Sequence, residues 1–192
     1  MDIPKYINGC IAPTFTAFND DGTLDDAGQR NLIDFMMESK AISAFFIRSG
    51  MGQMYTFSME DTRQIAKNVC GHFKGSASVL VGCSGIWDRN YDKRPDPKVF
   101  QEQAIALSRY AEEVGADGVV HTMPEAILPN DGESMDDLLV RYFGKICASV
   151  KIPVLLYQPP GTQPEYCVNQ KSIARLADID NLVGMKVSSS DA

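Results

Sequence analysis

Histidine is scarce here: the 192 residues include only His72 and His121. A zinc-dependent aldolase or hydrolase usually needs two or three imidazoles converging on one ion, so that class is hard to build from this chain. The five cysteines, Cys10, Cys70, Cys83, Cys147 and Cys167, are odd in number, widely spaced and free of any CxxC pair. Neither a disulfide framework nor a zinc framework follows from such spacing. Cys10 and Cys147 sit in apolar contexts and read as small buried hydrophobes.

Long apolar runs are missing too. The 44% hydrophobic content is broken into short stretches, none near the roughly 18 residues that span a bilayer. The start, Met1-Asp2-Ile3-Pro4-Lys5, has no basic segment followed by an apolar one, so the chain reads as soluble, unexported and cytoplasmic. Basic clusters are absent, and 18 basic against 25 acidic residues give a net charge of -7. Nucleic acid and acidic membrane surfaces are therefore poor partners. No GxGxxG and no Walker lysine loop follows any apolar run, which removes support for nucleotide-binding folds.

What is present is a regular alternation. Gly9 to Thr14, Ala41 to Ile47, Ser78 to Gly82, Gly118 to Thr122, Pro153 to Tyr157 and Leu182 to Lys186 are short apolar runs that read as strands. Between them, Leu24 to Ser39, Ser58 to about Cys70, Pro97 to Gly115, Ser134 to Val150 and Asn169 to Asp178 carry helical periodicity. Ser58 with Asp61 three residues on predicts an N-terminal capping pair, and Gly115 a helix stop. Asn19-Asp20-Asp21-Gly22-Thr23 reads as a plain turn rather than a calcium loop, because Ala17 would occupy the first ligand position and no glutamate closes it. Ile86 to Pro97 is a long polar loop holding the single tryptophan, Trp87.

Strands apolar almost throughout are covered on both faces, as in parallel α/β sheets. The polar residues of interest fall at strand ends: Tyr157, Lys186, Glu125 and the Ser49-Gly50-Met51 turn. That placement predicts a (β/α)8 TIM barrel, of which the chain covers strands 1 to 6 and helices 1 to 5. Such barrels take about 250 residues, so the reading is one barrel domain over residues 1–192 lacking its C-terminal portion, with open apolar edges at its first and sixth strands. An open doubly wound sheet is the structural alternative.

A lysine at the end of an apolar strand needs a reason, since a buried ammonium is costly unless paired or deprotonated. The neutral amine attacks carbonyls. A tyrosine at the matching end of a neighbouring strand, about 4.8 Å away, lies within reach. Lys186 and Tyr157, each ending a strand expected to be buried, thus point to Schiff-base chemistry assisted by a phenol. Taken singly, such a lysine snorkels into solvent and such a tyrosine caps a barrel.

Gly184-Met185-Lys186-Val187-Ser188-Ser189-Ser190-Asp191 resembles G-[IL]-K-D-[ST]-S-G-D, and Leu156-Tyr157-Gln158-Pro159-Pro160-Gly161 resembles L-Y-N-x-P-x. Both motifs belong to the dihydrodipicolinate synthase and N-acetylneuraminate lyase family of Schiff-base aldolases, which the chain resembles over essentially its whole length. Asp20 to Asp25 and Gly115 to Gly118 are weaker echoes. The resemblance implies that Lys186 forms an imine with pyruvate or another 2-oxo acid and that Tyr157 shuttles protons. It implies carbon-carbon cleavage or formation, or dehydration of a 3-deoxy-2-oxo sugar acid, with no metal or organic cofactor. It further implies a homo-oligomer, a tetramer or dimer.

Three departures separate the chain from the synthase. The carboxylate-binding G-[ST]-T-G-E becomes Ser49-Gly50-Met51-Gly52-Gln53, leaving Ser49 and the amides of Gly50 and Met51 as candidate contacts. T-P-Y-Y becomes Met123-Pro124-Glu125-Ala126, which removes both tyrosines and offers Glu125 as a polar or acid-base contact, against the plainer reading of a solvent-facing rim residue. The arginine of Y-N-V-P-G-R-T corresponds to Thr162. The Ile86 to Pro97 loop resembles an insertion extending over the mouth, with Trp87 or Arg89 at the substrate or at a surface or oligomer contact. A catalytically silent member that binds a small carboxylic acid, as a sensor or structural subunit, is the competing class.

Overall fold

In the computed structural model, which describes residues 3–188, apolar runs and periodic segments alternate along the chain. The strands are β1 (Cys10–Pro13), β2 (Ile42–Ile47), β3 (Ser78–Gly82), β4 (Gly118–Thr122), β5 (Val154–Gln158) and β6 (Leu182–Val187). The helices are α1 (Asp26–Met37), α2 (Met59–Phe73), α3 (Pro97–Glu113), α4 (Met135–Cys147) and α5 (Gln170–Ala177). Their starts follow from local chemistry. Ser58 and Ser134 each accept from the backbone NH three residues on, while Asp61 and Asp137 answer to the cap amide, a reciprocal pair that satisfies two otherwise orphaned donors. Pro97 opens α3 behind Asp96, which accepts from the amides of Lys98 and Val99. Gly115, at φ 93°, turns the chain out of α3 in the left-handed region that glycine tolerates.

All five strand pairs are parallel, and the sheet order is β1-β2-β3-β4-β5-β6. A doubly wound sheet reverses its order at a switch point; this one never does, so each strand is added on the same side and the sheet curves into part of a (β/α)8 barrel. Alternate residues supply two cores. Phe45, Ile47, Val79, Val81, Val119 and Leu156 pack with the helices, whereas Ala44, Phe46, Leu80, Val120, Leu155 and Tyr157 line the concave face. The short helical turn Lys5–Asn8 lies at one end of that inner face, where the Tyr6 hydroxyl donates to the Asp117 carbonyl (3.0 Å).

Two burial expectations are corrected. β6 is half-exposed rather than buried, with Met185 at 42% and Val187 at 46%, because among the described residues it is an edge strand paired with β5 alone. Cys10 is exposed, since it begins the opposite edge strand; Cys147 is buried on α4 as expected. The acidic segment after β1 is a turn, closed by the Phe18–Leu24 bridge and by Asp21, which accepts from the amide and hydroxyl of Thr23. Among the described residues, no group of three His, Cys, Asp or Glu side chains is placed to hold a metal, and no helix is long and apolar enough to cross a membrane.

Candidate active site

The parallel register sets Tyr157 directly opposite Lys186. Side chains of paired residues on neighbouring strands point to the same face, and here the Lys186 Nζ lies 4.0 Å from the Tyr157 ring centroid. The amine also donates to Ser188 Oγ (2.6 Å). Tyr157 is 5% exposed and fixed by an edge contact to Phe46, with ring centroids 6.1 Å apart. Lys186 borders a cavity of about 400 Å³ on the concave face, walled by Phe46, Leu80, Val120 and Leu155. Ser189, Ser190 and Asp191, which complete the lysine motif in the sequence, lie outside the described residues.

The loop after β2 approaches the same phenol. A methyl group at Gly50 would sit 3.0 Å from the Tyr157 hydroxyl oxygen, so backbone comes within contact distance there only because the residue is glycine. Ser49 is fully buried; its hydroxyl donates to the Thr14 carbonyl (3.0 Å) and accepts from the Gly52 amide (3.1 Å). The Ser49 carbonyl accepts from the amides of Gly52 and Met54. The amides of Gly50 and Met51, by contrast, donate to no protein acceptor among the described residues, and the Met51 side chain is 52% exposed.

Glu125 is 2% exposed, which corrects the rim reading. Its Oε1 accepts from the Tyr91 hydroxyl (2.8 Å) and the Gln163 amide (2.9 Å), and its Oε2 from Arg89 Nη2 (3.2 Å). Arg89, at φ 63°, also donates to the carbonyls of Pro160 (3.2 Å) and Gly161 (2.8 Å) and lies 5.4 Å from the Tyr55 ring centroid. The loop after β3 is thereby tied to the loops after β4 and β5. Trp87 packs edge-on against Tyr91 and donates to the Asn90 carbonyl. Burial pushes the Tyr55 phenol up to about 12; burial, then the bond to Glu125, raises that of Tyr91.

Sequence reasoning missed Tyr55, Tyr91 and Arg48. Nothing local marks the tyrosines. Arg48, a charge directly after the apolar run Phe45-Phe46-Ile47, was the legible signal of the three.

The chain matches the dihydrodipicolinate synthetase family over residues 6–192. Among proteins of known sequence, it is 31% identical to "Putative 2-dehydro-3-deoxy-D-gluconate aldolase YagE" of Escherichia coli (strain K12), over 97% of this chain and 55% of that protein. Among solved structures, YagE from E. coli K12 in complex with pyruvate matches at 30% identity and TM-score 0.64, covering 78% of this chain and 44% of that one. N-acetylneuraminate lyase from Mycoplasma synoviae shares the fold at TM-score 0.73 and 22% identity, over 95% of this chain and 55% of that one. The chain thus spans about half the length of the relatives it matches. Its ordered run of parallel strands and the match across nearly every residue agree: the chain belongs to the dihydrodipicolinate synthetase family.

Proposed function

We propose that the chain carries the Schiff-base centre of a class I lyase or aldolase acting on pyruvate or a larger 2-oxo acid. The observation that carries this reading is the pairing of Lys186 with Tyr157 on adjacent strands, amine against ring, at the edge of a concave cavity. Supporting it are the aldolase name of the YagE relative and the pyruvate in that protein's structure.

In this reading the neutral Lys186 amine adds to the keto carbon, and loss of water leaves a protonated imine that withdraws electrons from the adjoining bond. Tyr157 moves the proton from the hydroxyl of the carbon being cleaved toward the substrate carboxylate. Carbon-carbon cleavage releases an aldehyde and leaves the enamine of pyruvate; protonation at carbon and hydrolysis return pyruvate and the free amine. Dehydration of a 3-deoxy sugar acid uses the same imine. The free amides of Gly50 and Met51 receive the 2-oxo acid's carboxylate, while Ser49 holds the turn through Thr14 and Gly52. Glu125 acts as the buried anchor of the mouth. Cytoplasmic location and homo-oligomeric assembly belong to the same proposal.

The engaged Ser49 hydroxyl leaves only backbone donors for a carboxylate, which favours the silent acid binder as a second reading. Borohydride reduction in the presence of pyruvate, followed by intact mass and peptide mapping, decides between them. A pyruvate-dependent adduct on Lys186 that disappears in Lys186→Ala is expected. A folded chain that binds pyruvate yet never forms the adduct is a sensor or structural subunit.

A further inference from the structure

Arg48 follows β2 at φ 46° and is 2% exposed. Its Nη1 donates to the carbonyls of Gly82 (3.0 Å) and Ser84 (2.9 Å), while Nε is buried with no acceptor among the described residues. Among the described residues, no carboxylate lies within ion-pair distance of it. A guanidinium stays charged at neutral pH even where, as here, burial brings it down to about 10. A buried charge without a partner is costly.

Arg48 borders a small chamber beside the mouth, separate from the concave cavity. Its walls also include Tyr55, Ser84, Trp87, Arg89, Thr122 and Glu125. Arg89, like Arg48, has a buried Nε with no acceptor among the described residues. Among the described residues, Glu125 is the only carboxylate of these walls, and its oxygens are already engaged by Tyr91, Gln163 and Arg89. Two guanidiniums against one carboxylate leave one positive charge unopposed. About 10 Å³ is open in it to the centre of a water-sized particle, so it admits one small occupant. A water would supply an acceptor but no charge; a monoanion supplies both.

We propose that this chamber is a small-monoanion site, in which Arg48 and Arg89 hold either a halide or one oxygen of a carboxylate carried by the second substrate fragment. The loop that brings Gly50 against Tyr157 also carries Tyr55, on whose ring Arg89 rests, so an anion here sits one side chain away from the proposed chemistry. The site stands on charge and geometry that do not involve Lys186, so an absent borohydride adduct leaves it untouched.

Trp87, the single tryptophan of the chain, lines the chamber and reports on it. Sodium bromide is titrated into the 192-residue chain with sodium sulfate holding the ionic strength constant, and Trp87 emission is followed. Expected is a saturable quenching component that chloride displaces and that weakens at least tenfold in Arg48→Met. Should circular dichroism show Arg48→Met unfolded, Glu125→Gln, which removes the opposing negative charge, is expected to tighten the same component at least threefold. Acetate displacing bromide identifies the site as one for substrate carboxylate, whereas chloride displacing it and acetate failing identifies a free-halide site. Strictly linear quenching without chloride competition, or a saturable component unchanged in every folded variant, would overturn the proposal.

Discussion

Tyr157 and Lys186 are partners across β5 and β6, and the amine of the second lies 4.0 Å from the ring centroid of the first. The phenol is held from the other side as well, by Phe46 and by the backbone at Gly50. The lysine sits on a half-exposed edge strand, so its position depends on the tyrosine more than on enclosure.

Gly50→Ala tests that dependence. The added methyl group would stand 3.0 Å from the Tyr157 oxygen, in a backbone conformation that alanine adopts without strain. Imine formation with pyruvate is expected to slow about tenfold, or ~1.4 kcal/mol in barrier, while the melting temperature stays within about 2 °C. Combined with Tyr157→Phe, the loss should be less than additive, because both changes act on one hydroxyl. Additive losses in stopped-flow measurements would separate Gly50 from the phenol.

Glu125→Ala leaves the Tyr91 hydroxyl, the Gln163 amide and Arg89 Nη2 each short of an acceptor. Breaking a buried pair costs about 3–5 kcal/mol, and the 20% exposure of the Arg89 side chain brings the expectation to about 2–3 kcal/mol. Calorimetry should show a fall of about 5–10 °C. Limited proteolysis should cut first within residues 86–96, the loop that Arg89 anchors. A variant that melts with the parent would show that the pair does not hold the loop.

His121 gives the fold an acid-sensitive step. Ser108 Oγ donates to the Ala104 carbonyl and therefore accepts from His121 Nε2, leaving Nδ1 buried with no partner among the described residues. Burial, then the Arg48 charge, lowers its pKa to about 3. Above the unfolded value near 6.5 neither state is protonated, and stability is complete. Below it the unfolded chain gains a proton that the folded chain refuses, so stability falls by up to about 1.4 kcal/mol per pH unit until pH nears 3. Urea midpoints measured from pH 7 to pH 4 should decline, and the decline should be shallower in His121→Phe. Equal slopes in the two proteins would remove the histidine as its cause.

Gly82 ends β3 where a methyl group would stand 2.3 Å from the Arg48 carbonyl oxygen, backbone against backbone. No rotamer relieves that contact, so Gly82→Ala is expected to cost more than about 3 kcal/mol. Its urea midpoint should drop with m unchanged. An unaltered midpoint would mean that β2 and β3 separate freely at this end.

The strands were legible because a strand covered on both faces is apolar almost throughout, as Val79, Leu80 and Val81 of β3 and Val119 and Val120 of β4 show. The capping pair of Ser58 and Asp61 was legible because it closes within three residues. Cys10 and β6 were misjudged, since an apolar run looks the same whether it has one neighbour or two. Glu125 was misjudged because its partners are distant in sequence: Arg89 and Tyr91 lie more than thirty residues before it, and Gln163 lies 38 after it.

The sequence by itself determined the alternation of strand and helix, the family, and the presence of a lysine and a tyrosine at strand ends, because each rests on residues close together along the chain. Only the tertiary structure decided which groups meet and how closely: amine against phenol ring, Gly50 against the phenol oxygen, Arg89 against Glu125. Those meetings depend on strand register and loop path, which are set by the packing of the whole sheet.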